Sequence, residues 1–277
     1  MMPDCHRKQN LPLKPLIKWA GGKSRLIAQF LFLFPVKVNF LVEPFFGGGA
    51  VFLHLNPTGA IISDKNEELM NFYRVVRDHP VELLADLQRH VNTEEYYYRV
   101  RSLDPAQMTS LERASRFLYL NKYGYNGLWR VNSKGIHNVP YGRYKNKKLV
   151  HEQDLILVSA RLKKTRILCG DFSLALEETE PGMFVYLDPP YHPLSETARF
   201  TSYTSDSFGE EEQRRLARAF QNLDQRGCRV MLSNSDTPFI RELYRGYNIV
   251  EVKARRAINC KGEGRGLLTE LVIRNYH

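Results

Sequence analysis

An acid, two prolines and a tyrosine follow an apolar stretch in MFVYLDPPY, residues 183–191. Proline has no backbone N–H, so neither Pro189 nor Pro190 can donate a hydrogen bond. The residue before a proline is pushed towards extended geometry, which predicts that Asp188 lies at the tip of a strand. The turn therefore presents a carboxylate and carbonyl oxygens, and its chemistry is that of accepting hydrogen bonds from a donor.

A second candidate site is the glycine-rich sequence FFGGGA, residues 45–50, which follows a predicted strand and precedes an apolar helix. Glycines at a strand-to-helix turn let a ligand approach the backbone closely, which suits a nucleotide or nucleoside cofactor. The next predicted strand ends in Asp64, 17 residues after Gly47, where an acid can bind ribose hydroxyls. Together the two features favour a cofactor site over a purely structural turn.

Two other kinds of site are excluded by their patterns. KWAGGKS, residues 18–24, has Ile17 where a phosphate-binding loop needs a glycine, so we exclude an ATP site. The four cysteines, Cys5, Cys169, Cys228 and Cys260, lie far apart with no CxxC pair. This spacing argues against a metal site and a disulfide framework, and for a reducing cytoplasm. We read Cys169 and Cys228 as buried strand residues.

Positive charge is concentrated in one part of the chain. The protein has 40 basic and 30 acidic residues, and residues 99–166 alone hold 15 Lys/Arg against 4 Asp/Glu. Such a run is often a solvated charged face, but here aromatic residues are interleaved with it. They are Phe117, Tyr119, Tyr123, Tyr125, Trp129, Tyr141 and Tyr144. Cations for phosphates beside aromatic faces for bases favour nucleic acid as the partner.

The elements that position these sites alternate between strand and helix, which predicts an α/β fold with a mostly parallel sheet. A helix is predicted over 210–226, with Gly227 after its end. The predicted strands are Phe40–Glu43, Ala60–Ser63, Thr165–Gly170, Met183–Leu187 and Cys228–Asn234. Two more, Tyr247–Ala254 and Thr269–Asn275, predict a terminal antiparallel β-hairpin.

Residues 68–164 interrupt this alternation. The stretch 81–91 is helical in pattern, and TSLE at 109–112 predicts a capping box that opens a further helix. A long loop follows, and we interpret the region as an inserted, mainly helical domain that carries the positive charge. The polar N-terminus is not a signal peptide, and the most apolar stretch, residues 26–36, is too short to span a bilayer. We expect a soluble, cytoplasmic protein.

Together, FxGxG at 45–49 and DPPY at 188–191 resemble the amino-group DNA methyltransferases that use S-adenosylmethionine. Their order around the insert is similar to the alpha group of N6-adenine enzymes. Longer segments resemble the Dam-type GATC adenine methylases across about residues 15–277. These segments are KWAGGK, VEPFFGGGAVFL, FLYLNKYGYNGLWRVN, NVPYGRYK and YLDPPYHPLSETARFT. Residues 1–14 have no family counterpart, and Trp129 is a bulky departure within the insert's loop.

The resemblance implies a Rossmann-like methyltransferase sheet with a terminal antiparallel hairpin and an inserted DNA-recognition domain. The catalytic domain would comprise residues 15–67 and 165–277, the recognition domain 68–164, and an N-terminal extension 1–14. The implied chemistry places the amine of a flipped-out adenine against Asp188 and the Pro189 carbonyl, with Tyr191 stacked on the base. Transfer is then direct, since this chain has no Pro-Cys dipeptide of the kind that cytosine-C5 enzymes use.

The resemblance also assigns binding residues. Around S-adenosylmethionine it places Trp19, Lys23, Phe45, Phe46, Gly47, Gly49, Asp64, Asp171, Phe172 and Asp188. Against double-stranded DNA it places Lys18, Tyr125, Asn126, Leu128, Arg130, Asn132, Pro140 and Arg143, with Arg130 reading guanine. On the terminal hairpin, phosphates would meet Lys253, Arg255, Arg256, Lys261 and Arg265.

Other functions remain open from the sequence. One is a DNA-binding protein that keeps the fold but not the reaction, against which the intact DPPY and FxGxG motifs count. Another is methylation of protein glutamine or of RNA, for which NPPY-type motifs are more usual. A role in a host chromosome, a restriction system or a phage is equally open. We expect a monomer with no metal ion and no membrane partner.

Overall fold

The computed structural model describes residues 13–145, 147–194, 208–255 and 267–277, and two compact units divide them. The helical unit comprises the described residues up to Ser24, with Gly47–Asn56 and Asn66–Ile167. The sheet unit comprises Arg25–Phe46, Pro57–Lys65 and the described residues from Leu168 onward. These units divide the chain by packing, so the predicted functional domains stay a prediction. Most of the predicted N-terminal extension lies outside the described residues.

Most strands of a mixed seven-stranded sheet lie in the sheet unit, and the strand order is β3-β2-β1-β4-β5-β7-β6. The strands are β1 (Phe40–Glu43), β2 (Gly59–Asp64), β3 (Thr165–Cys169), β4 (Phe184–Leu187), β5 (Arg229–Ser235), β6 (Asn248–Arg255) and β7 (Leu267–Arg274). Strand β1 pairs in parallel with β2 and β4, and β4 with β5, whereas β7 is antiparallel to both β5 and β6. The predicted α/β fold, with a mostly parallel sheet and a terminal antiparallel pair of strands, is confirmed.

Strand β4 and most of β1 are apolar because both faces of the sheet are covered. All four residues of β4 are buried, as are Leu41 and Val42 of β1. The helix Glu210–Gln225 packs Leu216 and Phe220 into the same core. These continuous apolar runs made the strands predictable, and most strand ends differ from the predicted ones by one or two residues.

The helices differ in how their ends are set. They are α1 (Ile27–Phe30), α2 (Ala50–Leu55), α3 (Glu67–Asp78), α4 (Pro80–Leu87), α5 (Glu94–Ser102), α6 (Ser110–Tyr123), α7 (Glu152–Leu162), α8 (Phe172–Glu177), α9 (Glu210–Gln225) and α10 (Pro238–Leu243). The predicted capping box is confirmed at α6, where the Thr109 hydroxyl accepts from the Glu112 N–H and the Glu112 carboxylate accepts from the Thr109 N–H. Gly227, at φ +77°, follows the end of α9 as predicted.

Helix α6 is the centre of the helical unit. It packs against α3, α4 and α5, and its residues 117–121 are all buried. The buried guanidinium of Arg116 donates to the carbonyls of Val100 and Arg101, which satisfies acceptors at the end of α5. Because α6 is enclosed on several sides, it gives the loop after it a rigid base. Among the described residues, no helix has the length and apolar character needed to cross a membrane.

Candidate active site

The strand order of the sheet reverses between β1 and β4, and both predicted motifs follow these two strands. The register pairs Leu41 with Phe184 and Val42 with Val185. The turn that begins at Pro44 and the turn that begins at Asp188 therefore leave the sheet side by side. In open α/β sheets, ligands bind outside the carboxyl ends of strands at such a reversal. Asp188 follows β4 directly, so its predicted place at the strand's tip is confirmed.

Buried amides fix the backbone of the Asp188–Tyr191 turn. Gln213 of α9 donates to the Pro190 carbonyl at 2.8 Å and accepts from Asn234 of β5 at 3.0 Å. The side-chain oxygen of Asn234 in turn accepts from the His192 main-chain N–H at 3.1 Å. The Ser235 hydroxyl donates to the His192 main-chain carbonyl at 2.6 Å. Gln213 and Asn234 are fully buried. The turn is thus held in one conformation before any ligand arrives.

A further contact fixes the side chain of Tyr191. Its hydroxyl donates to the Glu270 carboxylate of β7 at 2.7 Å. Burial first, and then the Asp188 and Glu270 carboxylates, raise the pKa of the Tyr191 phenol well above its ordinary value. The phenol therefore stays protonated and remains a donor at physiological pH.

The surroundings of this turn are acidic. Tyr186 of β4 is buried, with its hydroxyl 2.8 Å from that of Ser233. Burial, followed by the charge of Asp188 and more weakly of Glu43 and Glu270, raises the pKa of the Tyr186 phenol. Three carboxylates thus lie near the end of β4. Such a site favours a ligand that brings positive charge or N–H donors.

The ends of β2 and β3 form a second part of the same sheet edge. The Asp64 carbonyl accepts from the Gly170 N–H at 3.1 Å, and Asp171 caps α8 by accepting from the Ser173 N–H at 3.0 Å. Arg215 donates to both Asp171 oxygens, at 3.0 and 2.5 Å. Burial alone would raise the pKa of Asp171, but the hydrogen bonds from Arg215 and Ser173 hold it at about 2.

Aromatic rings cover this second part of the edge. Phe45 lies 5.5 Å from Phe172 and 5.7 Å from Phe208, measured between ring centroids. The Arg215 guanidinium lies 4.1 Å from the Phe172 ring centroid. The predicted cofactor residues Phe45, Asp64, Asp171 and Phe172 are therefore grouped at one edge of the sheet unit. Buried Phe46 donates its N–H to the Ser63 carbonyl and fixes the turn after β1.

The remaining predicted cofactor residues lie in the helical unit. Gly47 and Gly49 have left-handed φ values of +49° and +67°, which favour glycine. A Cβ at Gly47 would lie 2.6 Å from Cδ1 of Trp19, so the indole packs directly on this backbone. The Tyr73 hydroxyl donates to the Gly47 carbonyl at 3.2 Å. Lys23 is buried, and its ammonium donates to the Gly21 carbonyl.

Asn121 of α6 connects the segment at Lys18 with the loop at Gly127. Its side-chain oxygen accepts from the Lys18 main-chain N–H at 3.0 Å. Its side-chain NH₂ donates to the main-chain carbonyls of Lys18 at 2.8 Å and Gly127 at 3.0 Å. The stem of Lys18 packs on Gly127, which has φ +66°. One buried amide therefore places the predicted DNA contact Lys18 beside the predicted recognition loop.

Most predicted DNA residues are exposed in this loop. Tyr125 is 53% exposed, and its N–H donates to the carbonyl of exposed Pro140. Asn126 is exposed at φ +54°, and Leu128 is half-buried. The Arg130 Nε donates to Asn138 at 2.7 Å. These positions share one loop, so they can contact a single partner.

Two other predicted DNA residues, Asn132 and Arg143, make contacts within the protein. Asn132 accepts from the N–H groups of Lys134 and Ile136 and so organises a turn. The guanidinium of exposed Arg143 lies 3.6 Å from the Glu94 carboxylate, so a DNA phosphate at this guanidinium would compete with Glu94. Arg256 lies outside the described residues, together with Lys261 and Arg265 of the hairpin link.

The interpretation of the interleaved aromatics as base-stacking faces is wrong for several of them. Phe117, Tyr119 and Tyr123 are buried in the helical unit. Trp129 packs against Phe117 at 4.3 Å and against buried His137 at 4.6 Å. The physical reason is that α6 is enclosed by α3, α4 and α5, so its aromatic residues form core. Tyr125, in the turn after α6, is by contrast largely exposed.

Sequence reasoning missed the residues that hold the Asp188 turn, which are Gln213, Asn234, Ser235 and Glu270. Two signals could have found some of them. Asn234 and Ser235 are polar residues at the end of an otherwise apolar strand, where a parallel sheet places its ligand edge. Glu270 is an acid within the apolar run LLTELVI.

Cys228 is buried as predicted, whereas Cys169 is only half-buried.

Comparison with known proteins decides the family. Over residues 19–258 the sequence matches the family described as D12 class N6 adenine-specific DNA methyltransferase. The chain belongs to this family. It is 46% identical to a type II methyltransferase of Lactococcus lactis subsp. cremoris, with 98% of each chain covered. It is 44% identical to a type II methyltransferase of Methanocaldococcus jannaschii, covering 96% of this chain and 100% of that protein. A DNA adenine methylase of Haemophilus influenzae is 37% identical, with 96% and 94% covered.

Membership confirms the predicted enzyme class. As a D12 class member, the protein is an adenine-specific DNA methyltransferase whose substrate is DNA. Methyl transfer implies a cofactor of the S-adenosylmethionine type. Among the residues that the structure describes, no group of three or more His, Cys, Asp or Glu side chains could hold a metal ion. Membership does not by itself define the target sequence, because type II methyltransferases and a DNA adenine methylase both align over at least 94% of their lengths.

Proposed function

We propose that this D12 methyltransferase methylates N6 of adenine within GATC in double-stranded DNA, using S-adenosylmethionine, after the adenine is flipped out of the helix. The observation that carries the proposal is the pre-positioned Asp188–Tyr191 turn at the strand-order reversal. It presents oxygen acceptors in acidic surroundings, beside the turn that starts at Pro44. An adenine amine, with two N–H donors, is the ligand that these acceptors fit.

In the proposed reaction the Asp188 carboxylate and the Pro189 carbonyl each accept one N–H of the adenine amine. These bonds draw the nitrogen lone pair out of conjugation with the ring and orient it for attack. When bound, S-adenosylmethionine would supply the methyl group and leave as the neutral thioether S-adenosylhomocysteine, and the methylated nitrogen would lose one proton to solvent. Because Gln213 and Asn234 already fix the turn, the acceptors do not have to reorganise during the reaction. The Asp188 side chain is the residue on which the chemistry depends most.

We propose cofactor-binding residues in each of the two units. In the sheet unit, Phe45 and Phe172 offer aromatic faces and Asp64 offers a carboxylate to ribose hydroxyls. In the helical unit, the left-handed glycines after Phe46 let a ligand approach the backbone. The family resemblance supports the inclusion of Trp19, Lys23, Gly47, Gly49 and Asp171.

We propose that the exposed loop from Tyr125 to Arg143 and the neighbouring Lys18 contact the target DNA. Tyr125 is an exposed ring that would fill the space left by the flipped adenine. Arg130 is exposed in this loop and its guanidinium is held by Asn138, as we expect of a residue that reads a guanine edge. The resemblance to Dam-type enzymes supports GATC as the site that the loop reads.

The biological setting is part of the proposal. The Haemophilus relative is named a DNA adenine methylase, and the Lactococcus and Methanocaldococcus relatives are named type II methyltransferases. The higher identity to the two type II proteins supports a role in restriction and modification. We further propose a monomer that acts in the cytoplasm.

The test is expression of the protein in a host without adenine methylation, followed by DNA sequencing that detects modified bases. We expect N6-methyladenine in GATC with the wild-type chain and none with Asp188→Ala. Methyladenine in a different sequence would refute the GATC assignment but keep the reaction. No modified adenine, despite a folded protein that binds duplex DNA, would favour the non-catalytic DNA-binding alternative.

A further inference from the structure

We propose that Glu270 is a positioning residue for methyl transfer, because its carboxylate holds the Tyr191 ring in the plane in which it stacks on the target adenine. The inference rests on the proposed function, since it concerns the same turn. Glu270 itself need not touch the base. Its role is exerted through the ring of Tyr191.

The topology of the sheet brings Glu270 to this place. Because β7 is antiparallel to β5, its first residues lie beside the last residues of β5, and Glu270 pairs with Ser235. The start of β7 is therefore at the same edge as the ends of the parallel strands. From there the Glu270 carboxylate accepts the Tyr191 hydroxyl at 2.7 Å. The two residues are 79 positions apart in the sequence.

The hydrogen bond restrains the side chain of Tyr191, whereas the amide and hydroxyl contacts of the turn act on its main chain. Gln213, Asn234 and Ser235 bind main-chain groups of Pro190 and His192, so they fix the backbone of the turn. A tyrosine ring on a fixed backbone still rotates about its two side-chain torsions. A charge-assisted bond to the hydroxyl, at the far end of the ring, restricts both rotations. Glu270 therefore supplies the restraint that the backbone contacts do not.

The state of the phenol is consistent with this role. Burial and the nearby Asp188 and Glu270 carboxylates raise the pKa of Tyr191 well above its ordinary value. The hydroxyl thus keeps its proton, and with it the hydrogen bond to Glu270, throughout the working pH range. This argues for Tyr191 as an aromatic surface with an anchored end and not as an acid or base in the reaction.

The experiment is a double-mutant cycle with Tyr191→Phe, Glu270→Ala and the double variant. Single-turnover methylation rates are measured on a GATC duplex, and base flipping is followed by the fluorescence of 2-aminopurine placed at the target adenine. We expect each single variant to slow methylation by about tenfold, because small misplacements of reacting groups cost up to about a hundredfold. The double variant should be no slower than either single variant, since both remove the same hydrogen bond.

Two further variants separate positioning from charge and from stability. Glu270→Gln keeps an oxygen that accepts the Tyr191 hydroxyl, so it should stay within about threefold of wild type. Glu251→Ala removes a carboxylate from the neighbouring strand β6, where Glu251 is exposed and paired with Arg241. It should leave the rate and the fluorescence change unaltered. Melting temperatures of all variants show whether any loss of rate follows a loss of folding.

Three outcomes would overturn the inference. The first is a Tyr191→Phe enzyme whose methylation rate is within twofold of wild type. This variant removes the hydrogen bond without altering Glu270, so the test remains valid even if Glu270→Ala does not fold. The second is a double variant whose rate loss is the product of the single losses. The third is Glu270→Gln as slow as Glu270→Ala. Failure of the proposed function would be recognised separately, because the wild-type enzyme would then transfer no methyl group to the duplex.

Discussion

At the scale of single residues, Asp188 is the side chain on which we expect methyl transfer to depend most. It follows β4 directly and its charge acts on both Tyr186 and Tyr191. We predict that Asp188→Ala reduces turnover to below about a tenth of wild type, because one of the two acceptors of the amine is lost. Duplex affinity should change little, since phosphate contacts supply most of it. Transfer of a labelled methyl group and duplex titration measure the two effects.

A matched variant sharpens this prediction. Asp188→Asn keeps a carbonyl oxygen in nearly the same place but removes the negative charge. Its turnover should therefore lie between those of the wild type and Asp188→Ala. If Asp188→Ala retained most of the wild-type turnover, the carboxylate would not be the acceptor that we propose.

Asp171 gives a prediction about stability and pH. Its pKa is about 2 in the folded protein against an ordinary value of 3.8, because Arg215 and Ser173 stabilise the charged form against the effect of burial. A depressed carboxyl pKa stabilises the fold above the unfolded pKa, and this contribution is lost as pH falls towards 2. The side chains of Asp171 and Arg215 are 41% and 37% exposed, so the gain is only about 0.5–1 kcal/mol.

Urea unfolding of wild type and Asp171→Asn between pH 7 and pH 2.5 tests this expectation. The wild-type advantage in free energy of unfolding should be constant above about pH 5 and shrink between about pH 4 and pH 2. Arg215→Met should remove the same advantage at neutral pH. A difference that stays constant down to pH 2.5 would show that the ion pair does not cause it.

At the scale of elements, the sequence predicted strands and turns better than the contacts between them. Strands such as β4 are continuous apolar runs, and Gly227 or the two prolines after Asp188 mark where elements end. The polar residues around the Asp188 turn could not be assigned in this way. Gln213 and Glu270 lie 23 and 79 positions from their partners, and only the order of the strands brings them there.

The same limit applies to helix α6. The aromatic residues of α6 and of the turn after it have the types that stack on nucleic-acid bases. The sequence therefore could not separate Phe117 of α6, which is buried, from Tyr125 of the turn, which is exposed. The difference arises because α3, α4 and α5 enclose α6, and this packing depends on contacts between segments distant in sequence. Periodicity alone does not identify a helix that is covered on several sides.

Asn121 of α6 joins two segments of the helical unit, so its substitution should affect both stability and DNA binding. Asn121→Leu would leave the Lys18 N–H and carbonyl and the Gly127 carbonyl without this partner. We predict a loss of about 1–3 kcal/mol in unfolding free energy. Affinity for a GATC duplex should also fall, because the Lys18 segment and the recognition loop lose their common support. Chemical unfolding and duplex titration measure the two changes.

Asn71→Leu is a suitable control for that variant. Asn71 is also a buried amide of the helical unit, but its side chain donates to the Ser110 carbonyl, away from the recognition loop. It should lower stability without lowering duplex affinity at a temperature where both variants are folded. Equal effects of the two variants on duplex affinity would contradict a specific role for Asn121.

At the scale of the whole molecule, the charge distribution is the feature that concerns DNA most. Residues 99–166 carry a large excess of positive charge, whereas the rest of the chain is nearly neutral. The members of this set are not equivalent. Lys148 is exposed, but Lys147 is half-buried, donates to the Lys122 carbonyl and lies 3.8 Å from the Tyr144 ring centroid. Burial, then Lys18 and Lys122, lower the pKa of Lys147 to about 8. Lys148 is therefore the better probe of simple phosphate contacts.

Arg130 and Lys148 are expected to contribute to DNA binding in different ways, Arg130 by recognising a base and Lys148 by contacting the phosphate backbone. Arg130→Ala should cost about 1–3 kcal/mol on GATC and relax discrimination at one base pair, since a guanine edge offers paired acceptors to a guanidinium. Lys148→Gln should lower affinity for all duplexes alike and reduce the slope of log affinity against log salt by about one. Wild-type affinity itself should fall steeply between low and physiological salt because counterions are released on binding.

Methylation rates on GATC and on each singly substituted site, measured at several salt concentrations for wild type and both variants, distinguish the two roles. Arg130→Ala should change the ratio between cognate and substituted sites, and Lys148→Gln should leave that ratio as it is. If Arg130→Ala slowed every site by the same factor, Arg130 would be a phosphate contact and the reading residue would have to lie elsewhere in the loop. A wild-type affinity that does not respond to salt would remove the basis for assigning DNA to the charged region at all.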